Sequence, residues 1–162
     1  MQNKKLLLQG IGLTLAVIGQ IICAVVFYDA SASSTRINFG WGIMLLSAIF
    51  GWLPIFTLRR KGVVEGKSYI HTTVLVDSGV YRIIRHPQYL AGILLNIALF
   101  LITMHWSVLL LGLIAIVILY LDTFEEEKNN LEKFGDKYQE YQKRVPRLNF
   151  IVGIFRLFWT GQ

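Results

Sequence analysis

Residues 6–28 form a run of 23 with no charged side chain. A helix rises about 1.5 Å per residue, so this run reaches across a hydrocarbon core of about 30 Å while satisfying its own backbone groups. Lys4 and Lys5 precede it, as in a secretory signal. The run exceeds the roughly 7–15 residues of a signal's apolar region, so it reads as a retained helix. A second apolar run over 39–58 carries Pro54 near its end, where proline should kink a helix close to the interface. A third stretch, over 89–121, has 33 residues and is too long for one crossing. His105, Trp106 and Ser107 interrupt it and predict a tight interfacial turn. The expectation is an all-α, polytopic membrane protein with about four transmembrane helices, near 6–28, 39–58, 89–104 and 107–121.

Composition agrees with that reading. The chain is 54% hydrophobic and 16% charged, whereas soluble domains carry roughly 25% charged residues. An ordinary cytosolic globule, a disordered chain and a disulfide scaffold are all excluded. The single cysteine, Cys23, lies in an apolar run and reads as core filler. The net charge of +6 is segregated outside the apolar runs, which points to an anionic membrane surface and not to nucleic acid. Of 16 Lys and Arg, 15 fall in the N-terminus, the connection 59–88 or the chain after 121, and Arg36 is the exception. The positive-inside rule places those three regions, and any site they build, on the cytoplasmic side.

Beyond residue 121 the composition turns polar at Glu125, Glu126, Glu127 and Lys128. Leu131, Phe134, Tyr138 and Tyr141 then recur at helical spacing and predict one apolar face, with Gly135 breaking or bending the helix. Residues 148–159 are apolar but too few to span, which predicts an interfacial or re-entrant helix. There is no repeat, low-complexity segment or linker, so residues 1–162 read as a single domain with cytoplasmic amphipathic or interfacial helices at its C-terminal end.

Three groups of residues could carry chemistry. Pro87 forces His86 out of the helical region and pre-sets the first turn of a helix, which puts Arg85 and His86 at an N-terminus suited to an anion. Arg and Tyr at a membrane boundary serve equally as phospholipid anchors. Glu125, Glu126 and Glu127 sit where the dipole of the preceding helix disfavours negative charge. They either open a solvated helix or meet a cation, and not all three can face one site. The segment from Tyr138 to Arg147 reads as an amphipathic helix with a basic edge that includes Arg144. His71 and His105 have no partner at ligand spacing, no Cys/His cluster supports a metal, and neither a P-loop nor a dinucleotide fingerprint is present.

Taken in order, Gly79, Tyr81, Arg85-His86-Pro87, Tyr89, Glu126-Glu127, Phe134-Gly135, Tyr138, Tyr141 and Val145-Pro146-Arg147 resemble the integral-membrane methyltransferases. That group includes isoprenylcysteine carboxyl methyltransferases and phospholipid N-methyltransferases. The resemblance covers about residues 74–150. It departs from the common pattern at Ala91, where many members have glycine, and in having no Trp over 59–78. It implies S-adenosylmethionine as cofactor, bound on the cytoplasmic side by residues among Tyr81, Arg85, His86, Tyr89, Glu126, Glu127, Leu131, Phe134, Tyr138 and Tyr141. Arg85 and His86 would meet its carboxylate, Glu126 or Glu127 its cationic groups, and Leu131, Phe134 and Tyr141 its adenine. Glu126 or Glu127 would accept a proton from an amine acceptor, and Arg144 or Arg147 would orient the head of a lipid or prenylated substrate held in the bilayer. Open alternatives are a small-thiol S-methyltransferase, an NADPH-dependent sterol-reductase-like enzyme and a non-catalytic membrane adaptor.

Overall fold

The structure, a computed structural model, describes residues 2–61 and 73–160. Lys67 and His71, which the sequence places in the cytoplasmic connection, lie outside the described residues. All regular structure among the described residues is helical. The elements are α1 (Gln2–Val26), α2 (Ser34–Lys61), a 3₁₀ turn (Gly79–Arg82), α3 (Pro87–Thr103), α4 (Trp106–Phe134), α5 (Asp136–Arg144) and α6 (Phe150–Thr160). Helices α1, α2 and α4 are long and apolar enough to cross a membrane, and α3 is a shorter apolar helix of 17 residues. The chain is thus an integral membrane protein with about four spanning helices.

Two boundaries differ from expectation for a physical reason. Helix α2 begins at Ser34 and ends at Lys61, taking in polar residues at both ends of the apolar run, because helical hydrogen bonding continues where burial stops. Helix α4 runs without a break from Trp106 to Phe134, 13 residues past Leu121, so the polar segment opened by Glu125 continues the fourth helix. The break comes at Gly135, at φ +55, a conformation that glycine adopts without steric cost. The stripe of Leu131, Phe134, Tyr138 and Tyr141 is therefore divided between α4 and α5.

Two compact units make up the chain. The first comprises Met1–Ala48 and Ala91–Asp122. Its turn between α3 and α4 holds Met104 at φ 51. There the Nδ1 of His105 lies 2.7 Å from the Ser107 hydroxyl and 3.4 Å from its N–H. The His105 ring also stacks on Phe27 with centroids 3.6 Å apart, so this histidine organises a turn. Within this unit Gln20, fully buried, donates from Nε2 to the carbonyls of Asn96 (3.1 Å) and Val108 (3.0 Å). Gly112 makes room for that amide, since a Cβ there would overlap Gln20 Nε2.

The second unit comprises Ile49–Leu90 and Thr123–Gln162. Its core is Tyr138, Tyr141 and Val145, against which Leu75 and Phe134 pack. Pro54 is fully buried inside α2, where its missing N–H leaves a carbonyl of the preceding turn without its helical donor. On α6, Gly153 meets the carbonyl of Ile83 more closely than any Cβ would permit, which seats α6 on the chain just after the 3₁₀ turn.

Candidate active site

The second unit contains a site built around the start of α3. His86 precedes that helix and caps it, its carbonyl accepting from the Leu90 N–H at 3.1 Å, while Pro87 supplies the first helical residue. The N–H of Arg85 donates to the Pro146 carbonyl (3.0 Å) and that of His86 to the Arg147 carbonyl (3.2 Å). These two bonds fasten the segment before α3 to the segment after α5. The Tyr141 hydroxyl adds a third tie, donating to the Tyr81 carbonyl at 2.6 Å.

Glu127 is the centre of the polar cluster that results. It is 6% exposed. Its Oε1 accepts from His86 Nε2 (3.1 Å) and Arg147 Nε (3.0 Å) and lies 3.2 Å from Arg85 Nη2. Its Oε2 accepts from Arg147 Nη2 (2.6 Å) and Gln142 Nε2 (3.3 Å). Arg147 thus grips the carboxylate with two parallel bonds, and its guanidinium also lies 3.8 Å from the Phe124 ring centroid. A carboxylate only accepts, so Nε2 of His86 carries a hydrogen. The other ring nitrogen, Nδ1, is buried, has no hydrogen-bond partner among the described residues, and lies 3.7 Å from Glu126 Oε1. Tyr89 meets the His86 ring edge-on at 5.5 Å.

Beside this cluster, within the same unit, is a cavity of about 370 Å³. Tyr81, Arg85, Glu126, Phe134, Tyr138 and Tyr141 line it, so six of the residues expected to hold a cofactor meet there. His86, Glu127 and Arg147 stand behind it in the ion cluster. Leu131 is exposed and off the lining, and Arg144 lies elsewhere, 3.8 Å from Asp77. Gln88, Asn129, Asn130 and Lys133 also line the cavity and carry no role in the sequence reading. A signal for three of them existed: Glu126, Asn129, Asn130 and Lys133 fall at offsets of 3, 4 and 7 on one unbroken helix and share a face.

The electrostatics of the lining are uneven. Arg85 is a tenth exposed, and its Nε is a buried donor with no hydrogen-bond partner among the described residues. Burial pushes the Tyr138 hydroxyl up to about 12, against the opposing effect of a hydrogen bond from Asn130. Burial raises Tyr81 and Tyr141 as well, with Glu126 adding to the shift at Tyr81 and Tyr138 to that at Tyr141. All three phenols are held protonated, and that of Tyr141 is the donor to the Tyr81 carbonyl. Glu126 is the carboxylate that lines the cavity, and its side chain is 45% exposed.

Fold and site together define a helical integral membrane protein whose polar, aromatic-lined cavity is built beside a buried Glu–Arg–His cluster. The chain belongs to the phospholipid methyltransferase family, whose model matches residues 35–137. It is also similar to the methanethiol S-methyltransferase of Pseudomonas deceptionensis, with 31% identity over 116 residues. That alignment covers 67% of this chain and 41% of the relative, so the matched stretch spans less than half of the longer protein.

Proposed function

We infer that this chain is a membrane methyltransferase that uses S-adenosylmethionine and acts on a lipid-borne acceptor, an isoprenylcysteine-type carboxylate or a phospholipid amine. The observation that carries the reading is the lining of the 370 Å³ cavity, which is within the range of small-molecule sites. An unsatisfied guanidinium N–H of Arg85 suits the cofactor's carboxylate. The Glu126 carboxylate suits its ammonium and sulfonium, and the rings of Phe134, Tyr138 and Tyr141 suit its adenine. Asn129 and Asn130 offer amides to the remaining polar edges. His86, Tyr89, Glu127 and Arg147 act one step back, fixing Arg85 and the start of α3. Residues 74–150 make up this cofactor-binding part, on the cytoplasmic side by the distribution of Lys and Arg.

Bound there, the cofactor supplies an electrophilic methyl group on a sulfonium, and alignment accounts for much of the rate. A carboxylate acceptor is already anionic and needs no base. An amine or thiol must lose a proton, which Oε1 of Glu126 accepts, with the lone Nδ1 of His86 3.7 Å behind it. The acceptor's tail stays in the bilayer, so its head reaches the cavity laterally.

A second reading, methylation of small thiols, is favoured by the similarity to a methanethiol S-methyltransferase. Transfer of radiolabelled methyl from S-adenosylmethionine to a prenylcysteine analogue, to phosphatidylethanolamine and to short thiols separates the two. At least tenfold faster labelling of one lipid acceptor is expected. Faster labelling of the short thiols supports the second reading, and no labelling of any acceptor overturns both.

A further inference from the structure

The second unit holds another cavity, of about 520 Å³, which shares only Tyr141 with the one described above. Its lining brings together four cations, Arg82, Lys143, Arg144 and Arg156, against the single carboxylate of Asp77. The Arg144–Asp77 pair is loose at 3.8 Å, with both side chains more than half exposed, so it neutralises little of that charge. Four cations converging on one concave surface, with one acid among them, suit an anion that offers several acceptor oxygens, as a phosphate group does.

Helix α6 says which anion. Gly153 is packed against Ile83, and Arg156, three residues on and on the same face, donates from Nη2 to the Arg82 carbonyl at 2.6 Å. That inward face leaves Phe155, Phe158 and Trp159 at 70%, 83% and 92% exposure, with Ile151 and Val152 also exposed. An 11-residue helix is too short to span a bilayer, and one with such a face lies in the interfacial plane with its apolar side among acyl chains. The basic cavity is lined from the opposite side of the same helix, which sets it at headgroup depth.

We propose that this cavity binds the phosphate of an anionic phospholipid that is not the methyl acceptor, and that the lipid holds α6 in the interface. The proposal stands apart from the reaction, because the cavity and the candidate active site share one residue. Guanidinium groups suit the occupant better than ammonium alone, since they grip phosphate oxygens with paired bonds.

The test is native mass spectrometry of the detergent-purified chain with added phosphatidylglycerol, phosphatidylcholine or inorganic phosphate, and no methyl donor. Phosphatidylglycerol should bind at least tenfold more tightly than phosphatidylcholine. The double variant Arg82→Gln/Lys143→Gln should lose most of that preference, and Arg82→Lys/Lys143→Arg, which keeps both charges, should retain much of it. Melting measured on each variant checks that it remains folded. Equal binding of the two lipids, an unchanged preference in Arg82→Gln/Lys143→Gln, or displacement of the lipid by inorganic phosphate at comparable concentration would each overturn the proposal.

Discussion

Each unit of this protein buries a polar cluster, and the two are built on opposite terms. In the first unit the cluster is neutral: Gln20 and Asn96, with one amide nitrogen shared between two backbone carbonyls. In the second it is ionic: one glutamate held by two arginines, a histidine and a glutamine. The neutral cluster leaves the side-chain oxygens of both Gln20 and Asn96 without a hydrogen-bond partner among the described residues. Orphaned amide oxygens are tolerable because they carry no net charge. The ionic cluster cannot be left half-made, since a buried carboxylate stripped of partners is far more costly than a buried amide. That contrast decides where chemistry can be placed: among the described residues, the second unit alone has enough fixed donors to hold a charged ligand beside a charged side chain.

The largest effect should come from Glu127→Ala, which leaves Arg85 and Arg147 uncompensated around a buried hole. Removing one partner of such a buried pair costs about 3–5 kcal/mol, and thermal unfolding in detergent should show a large drop in Tm. A Tm within experimental error of the parent would mean that the cluster is solvated and the comparison is false.

Alkaline pH should act through the second unit next. The Tyr138 hydroxyl, raised to about 12, binds its proton more tightly folded than unfolded. Its contribution is intact below the ordinary phenol value of about 10 and is lost as pH rises from there towards 12. Melting followed from pH 8 to 12 should fall above pH 10, and Tyr138→Phe should make the fall shallower. A profile unaffected by that substitution would remove Tyr138 from the account.

In the first unit, Gly112→Ala places a methyl group where Gln20 Nε2 lies. Overpacking of this kind costs about 1–3 kcal/mol. The penalty should nearly vanish in a Gln20→Ala background, a coupling that a double-mutant cycle reads directly. Additive effects would place the strain elsewhere.

Smallest of all should be Gln20→Leu, which removes two hydrogen bonds and an orphaned oxygen together. Polar contacts between membrane helices average about 0.6 kcal/mol, so Tm should change little. A loss as large as that of Glu127→Ala would erase the distinction between the two clusters.

Much of the second cluster was legible in the sequence, because charged residues in a membrane protein stand out and Pro87 fixes how His86 enters its helix. Which glutamate does what was not. Glu126 and Glu127 are about 100° apart on a helix, and their roles follow only once α4 is known to continue to Phe134. The polar turn at Glu125 hid that continuity, and with it the face shared by Asn129, Asn130 and Lys133. Leu131 matched the apolar stripe by spacing, yet Gly135 ends α4 and leaves that side chain exposed. Gln20 and Asn96 gave no signal, since their meeting depends on helix packing across 76 residues of sequence.

The central claim is that the cavity lined by Arg85 and Glu126 holds S-adenosylmethionine. Isothermal titration of the purified chain with the cofactor tests it most directly, with Glu126→Gln and Gln20→Leu measured alongside. Saturable one-site binding is expected, unchanged in Gln20→Leu. Affinity should be roughly 10- to 100-fold weaker in Glu126→Gln, as loss of a charge-assisted contact worth about 1.5–3 kcal/mol requires. Absence of binding, or equal affinity in the parent and Glu126→Gln, would contradict it.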